Sequence, residues 1–230
     1  MTVLSAVRAE RVVDVWVGAE PAAEGQARVT VAWTPRAGAG RIDSTRTVSL
    51  TVKGPAGDRV FDASVGANTL SFPAVPGPVQ LQLTVRDAAG NVVDEDRRPF
   101  SVPDLSAANL AVGVPMLLRA RTAADARLFA EGRPATPFAG REFVRTDRLF
   151  VRFSVFGESA RAADVSAQLT NKTGRTLLEL PIVPMPGGDS AYQVELPMAS
   201  IARGDYLLAL AARHGEERAR ALVPVRVLAF

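Results

Sequence analysis

Val48, Leu50 and Val52 alternate with Ser49, Thr51 and Lys53. That is the period-2 pattern of a strand with one face in an apolar core and the other in water. Turn formers follow at 54–57, "GPAG", and the chain returns through "DRVFD". The whole phrase, "LTVKGPAGDRVFD" (Leu50–Asp62), is echoed by "LTVRDAAGNVVDE" (Leu83–Glu95), with Gly57 and Gly90 at the same offset. In the second copy Val79, Leu81, Leu83 and Val85 face one way and Gln80, Gln82, Thr84 and Arg86 the other. Gly90 suits the positive-φ position of a type I turn followed by a bulge. Upstream, "RVTVAWT" puts Val29, Val31 and Trp33 on one face, which makes Trp33 a core residue. "RVVDVWV" puts Val13, Val15 and Val17 on one face and Val12, Asp14 and Trp16 on the other. "NTLSF" adds a short strand. About six or seven short strands between Arg8 and Val102, with turn signals every 8–12 residues or so, predict an immunoglobulin-like sandwich.

"VPDLSAAN" (Val102–Asn109) reads as a boundary, stiff at Pro103. Beyond it the scheme starts again. "LAVGVPMLLRA" is an opening strand, and "RLFVRFSVF" aligns Leu149, Val151, Phe153 and Val155 on one face. "DVSAQLTNKTGRTLLEL" is the strand–turn–strand phrase a third time, with Gly174 in the turn. "AYQVELP" parallels "NTLSFP", and Gly204–Val227 parallels the hairpin that closes the first half. In "IARGDY" (Ile201–Tyr206) the Gly-x-Tyr spacing before a long strand fits a tyrosine corner, in which Tyr206 OH bonds back to upstream backbone. "RTAADARLFAEG" (Arg121–Gly132) predicts a short helix near 122–131, with Thr122 as N-cap, Asp125 completing a capping box, Gly132 as the stop, and Leu128 and Phe129 packed on the sandwich. The fold expected is all-β: two tandem immunoglobulin-like or fibronectin III-like β-sandwiches at about 1–103 and 108–230, the second carrying the helical insertion.

The remaining composition narrows the chemistry. The 230 residues contain no Cys, one His and a net charge of +3. Disulfides, thiolate nucleophiles and Cys-based metal sites are therefore excluded. Acidic residues interleave with the arginines, as in "HGEERARA", whereas a nucleic-acid reader concentrates its cations. No apolar run is long enough to span a bilayer. The single His214 sits in "ARHGEE", at an expected hairpin tip, and reads as a solvated turn residue. "IDSTRT" (Asp43, Thr45, Thr47) resembles a metal-adhesion motif but lacks the buried strand before it and the helix after it. Asp87, Asn91, Asp94 and Asp96 are candidate Ca²⁺ ligands, yet Arg97 and Arg98 stand beside them and Asp and Asn are common turn formers. No catalytic residue, metal ligand or cofactor is assigned. Trp16, on the outward phase of its strand, is the candidate binding residue, either for a sugar or for a neighbouring domain.

The phrases "VWVGAEPAAEGQARVTVAWTPR", "LTVKGPAGDRVFD", "VPGPVQLQLTVRDAAGNVVDEDRRPFSVPD", "RARTAADARLFAEG" and "REFVRTDRLFVRF" resemble the C-terminal region of bacterial von Willebrand factor A-related proteins of the acidobacterial type. Members of that family carry a signal peptide and an A domain ahead of such a tail, neither of which is written here, so no metal-binding residue carries over. The resemblance implies a non-catalytic tail module of an exported, periplasmic or extracellular protein acting in adhesion or assembly. The expected function is a structural or protein-binding module, with exposed strand edges able to add a partner strand. A carbohydrate-binding module using Trp16 is the alternative.

Overall fold

The computed structural model describes residues 11–36, 47–65, 68–106, 109–186 and 190–229. The first seven strands are β1 (Val13–Pro21), β2 (Ala27–Pro35), β3 (Thr47–Lys53), β4 (Arg59–Val65), β5 (Thr69–Ala74), β6 (Gly77–Arg86) and β7 (Val92–Val102). They form two antiparallel sheets, ordered β1-β2-β5 and β4-β3-β6-β7. Alternation explains why the sheets face each other. Val29, Val31 and Trp33 of β2, Leu50 and Val52 of β3, and Leu81 and Leu83 of β6 are all buried in one core. Phe61 and Phe72 stack across it at 4.7 Å.

The second set is β8 (Ala111–Val112), β9 (Met116–Ala120), β10 (Glu142–Phe143), β11 (Arg148–Phe156), β12 (Asp164–Asn171), β13 (Thr176–Glu179), β14 (Ile182–Pro184), β15 (Ala191–Pro197), β16 (Gly204–His214) and β17 (Glu217–Val227). One sheet runs β10-β17-β16-β12-β13, the other β14-β15-β11-β8 with β9 also on β11. Leu149, Val151, Phe153 and Val155 line a separate core with Leu208, Leu210 and Val225. The expected single opening strand is in fact two, β8 and β9, interrupted at Gly113–Pro115, where Pro115 has no N–H to continue a ladder. The architecture is all-β, in two immunoglobulin-like or fibronectin III-like sandwiches.

The outer face of β11 is also buried, because helix α1 (Ala123–Ala130) lies on it. Thr122 Oγ1 accepts from Asp125 N, and the Asp125 carboxylate accepts from Thr122 N, a complete capping box. Phe129 meets Phe150 edge-on at 5.8 Å. Leu128, expected to pack with it, is 47% exposed. In an eight-residue helix that uses Ala126 and Phe129 as its inner stripe, position 128 falls on the solvent side. Arg152 of β11 is buried beside the helix end. It donates to Gln193 Oε1 at 2.7 Å, to Arg133 O at 2.8 Å and to Phe129 O at 3.0 Å. Burial pulls its pKa down, but three acceptors, one of them a carbonyl of the last helical turn, stabilise the cation there.

The repeated phrase builds one device three times. Gly57, Gly90 and Gly174 have φ of 81°, 86° and 84°. Each donates its N–H across a turn at 3.0 Å, to Gly54 O, Asp87 O and Asn171 O respectively. In each hairpin the third residue after that glycine is skipped by the ladder: Val60, Val93 and Leu177. So the phrase specifies a turn plus a β-bulge. Asp87 and Asn171 reinforce their turns by accepting from Ala89 and Asn91 N–H, and from Thr173 and Arg175 N–H.

Candidate functional site

Trp16 does face away from the core of its own sandwich, but it is only 7% exposed. The expectation of an exposed aromatic platform is overturned. Strand alternation shows which face a side chain takes; it cannot show that a second domain covers that face. Here Trp16 packs with Ala32 of β2 and with Met116 and Ala139 of the second sandwich. Its Nε1–H donates to Pro115 O at 2.9 Å. The ring lies flat along β1 over Gly18, where a Cβ would stand 2.2 Å from a ring carbon. A glycine two residues on, on the same face, is what lets the indole lie down. Next to it, Thr34 Oγ1 accepts from Ala139 N–H at 3.0 Å. The joint is thus a small apolar cluster closed by two hydrogen bonds, each joining the two halves of the chain.

Charge surrounds this cluster. Asp14 pairs with Arg36 at 2.7 Å on the first sandwich. From the second, burial pulls the pKa of Arg141 down, and the field of Asp14 opposes this only in part. Its NH1 is buried with no hydrogen-bond partner among the described residues. Arg119 lies with its guanidinium carbon 3.9 Å from the centroid of Phe138. Burial lowers its pKa, and the like charge of Arg121 adds to that. The covalent linker is anchored at both ends: Leu105 packs on the first core and Leu110 is buried in the second. Ser106 N and Oγ both donate to Asp104 Oδ1.

The other residues singled out by sequence serve the scaffold. Trp33 is buried in the first core. Tyr206 OH donates to Ala202 O at 2.8 Å, the geometry of a tyrosine corner. His214 ends β16 with Nδ1 3.3 Å from Ala162 O. Asp43 and Thr45 lie outside the described residues.

Asp94 and Asp96 do not converge with Asp87 and Asn91 on an ion. Asp94 Oδ2 accepts Val12 N–H and Val13 N–H at 2.9 and 3.1 Å, and Arg11 pairs with Asp96 at 2.7 Å. Arg98 pairs with Asp96 and donates to Val15 O at 3.3 Å. Residues 94, 96 and 98 share one face of β7, so they clamp edge strand β1 onto the opposite sheet. That places them within the first sandwich, not at the joint. Among the described residues no three Asp, Glu or His side chains are grouped to hold a metal, and no helix is long and apolar enough to cross a membrane.

No protein-family model and no curated protein matches the sequence. Among solved structures, the chain is similar to the fibronectin(III)-like modules of Clostridium thermocellum CbhA at 9% identity, covering 88% of this chain and 86% of that one, with a TM-score of 0.26. It is similar to the tandem immunoglobulin domains of titin at 10% identity, with 89% of each chain covered and a TM-score of 0.26. An ICAM-5 ectodomain fragment aligns at 15% identity over 94% of this chain and 54% of that one, with a TM-score of 0.32. The tandem-sandwich assignment rests on the strand order and the two cores.

Proposed function

We propose that the chain is a non-catalytic structural and protein-interaction module that works as one two-sandwich unit. The observation that carries this reading is the joint: a buried indole hydrogen-bonded across it, with Thr34 and Ala139 beside it. Two sandwiches that acted independently would need only a tether, whereas these bury a large aromatic to hold one orientation. A fixed orientation turns the surfaces flanking the joint into a single composite surface.

Strand addition at the edges is a weaker reading. Edge strand β13 is short, and it and edge strand β4 each carry a bulge, at Leu177 and Val60. Short, bulged edges are how natural sheets avoid pairing with another strand. Leu177 is nonetheless 51% exposed, so the edge is apolar but badly shaped for a ladder. The composite surface at the joint is the better docking site. The resemblance to the tails of exported von Willebrand factor A-related proteins supports an extracytoplasmic role in adhesion or assembly.

The test is a photo-crosslinking amino acid placed at exposed Thr136, beside the joint, in the full chain within its native cell envelope. A discrete protein adduct, lost when Trp16→Ala is added, supports the reading. No protein adduct, or turnover of a hydrolase substrate panel by the purified chain, refutes it.

A further inference from the structure

A cleft of about 230 Å³ opens beside the Trp16 joint. Thr34 and Asn68 of the first sandwich form one wall; Arg119, Arg121, Phe129 and Phe138 of the second form the other. It therefore exists only when the two sandwiches are docked.

Arg119 and Arg121 bring two guanidinium groups to one wall. Among the described residues neither side chain has an ion pair or hydrogen bond; the contact shown is Arg119 over the Phe138 ring. That contact places the Phe138 ring against the guanidinium carbon and engages none of its N–H groups in a hydrogen bond. The in-plane N–H fork stays available, and that fork matches a carboxylate bidentately. Asp125 also borders the cleft, but its carboxylate is committed to the helix cap at Thr122 N. Asp147 also acts on Arg119, so with Asp125 at the border the excess of positive charge is at most one unit. A carboxylate matches that charge, and a phosphate dianion exceeds it. Thr34 and Asn68 add polar groups from the first sandwich, and Phe129 and Phe138 add apolar surface to the lining.

We propose that this cleft receives a carboxylate side chain, flanked by apolar residues, from an acidic segment of a protein partner. This rests on the reading of the chain as a protein-interaction module and names the chemistry of its partner. Arg119 and Arg121 would clamp the carboxylate, and the two rings would pack its neighbours.

The experiment is calorimetric titration of the full chain with an unlabelled heptapeptide alternating Glu and Phe, against the same peptide with Gln for Glu. Saturable binding of the Glu peptide is expected, weakening as salt rises, because exposed charge pairs are screened within about 10 Å at 0.1 M. Arg119→Gln and Arg121→Gln should each weaken it at least fivefold, and Arg175→Gln, on a remote hairpin turn, should leave it unchanged. Arg121 is exposed, so its replacement keeps the test valid even where Arg119→Gln perturbs folding. The inference is overturned by no saturable binding at millimolar peptide, by equal binding of the Gln peptide, by indifference to Arg121→Gln, or by inorganic phosphate displacing the peptide at lower concentration than acetate does. A crosslinked adduct at Thr136 together with failed peptide binding sinks this inference and leaves the module reading standing.

Discussion

Trp16→Ala separates docking from folding. A buried Trp removes about 150–250 Å² from water, worth roughly 4–6 kcal/mol at about 25 cal/mol per Å². The Nε1–H bond to Pro115 O adds about 1 kcal/mol net. Part of that burial is against Gly18 and Ala32 of its own sheet and survives undocking, so the share belonging to the joint is about 3–4 kcal/mol. At about 1.4 kcal/mol per tenfold, the docked-to-undocked ratio should fall by two to three orders of magnitude. Trp16 is absent from the core formed by Val29, Leu50 and Leu81, so each sandwich should stay folded. Small-angle scattering should change from a profile fitted by one arrangement to one needing an ensemble, while circular dichroism holds its strand signature. Trp16→Phe keeps most of the apolar area and should fall between the two. Unchanged scattering in Trp16→Ala, or outright unfolding of the first sandwich, would refute a docking role for the indole.

Four further outcomes are expected. The Arg11–Asp96–Arg98 clamp makes stability acid-sensitive: burial pushes Asp96 up, but its Arg11 hydrogen bond and its Arg98 pair outweigh that and hold its pKa below the ordinary value. A carboxylate depressed in the folded state contributes stability above its unfolded pKa, which is lost as pH falls through the folded one. Chemical denaturation should therefore show the first sandwich weakening below about pH 4, and Asp96→Asn should remove that dependence; a wild-type slope retained in Asp96→Asn would contradict it. Arg152→Met leaves Gln193 Oε1 and Arg133 O without their donor, while Phe129 O keeps Gly132 N–H, and should cost about 2–4 kcal/mol in urea denaturation, since each buried unpaired group costs roughly 1–3 kcal/mol. Tyr206→Phe should lower stability by about 0.5–1.5 kcal/mol, the net worth of one hydrogen bond; an unmoved midpoint shows that the corner bond contributes nothing. Gly90→Ala forces a side chain into φ of 86° and should cost about 1–2 kcal/mol in the same assay.

Strand phase, turn chemistry and helix capping were legible in the sequence because each depends on residues only a few positions apart. Val48, Leu50 and Val52 alternate whatever lies elsewhere, Gly57, Gly90 and Gly174 enter positive φ within a single turn, and Thr122 finds Asp125 three residues on. The bulge expected after the Gly90 turn is found at Val93, and the same turn chemistry carries bulges at Val60 and Leu177. Asp94 and Asp96 could be read as ion ligands because their partners Val12 N–H and Arg11 lie more than eighty residues away, in the segment leading into β1. Trp16 was placed on the correct face, and of the two surroundings offered there, a sugar or a neighbouring domain, the structure supplies the domain. What covers it is Pro115, Met116 and Ala139, roughly a hundred residues downstream, and no periodicity within β1 carries information about them. Local sterics and alternation determined the strands, turns and helix; only tertiary structure decided the joint, the clamp and the cleft, because those arise where separately encoded surfaces meet and bury one another's polar and apolar groups.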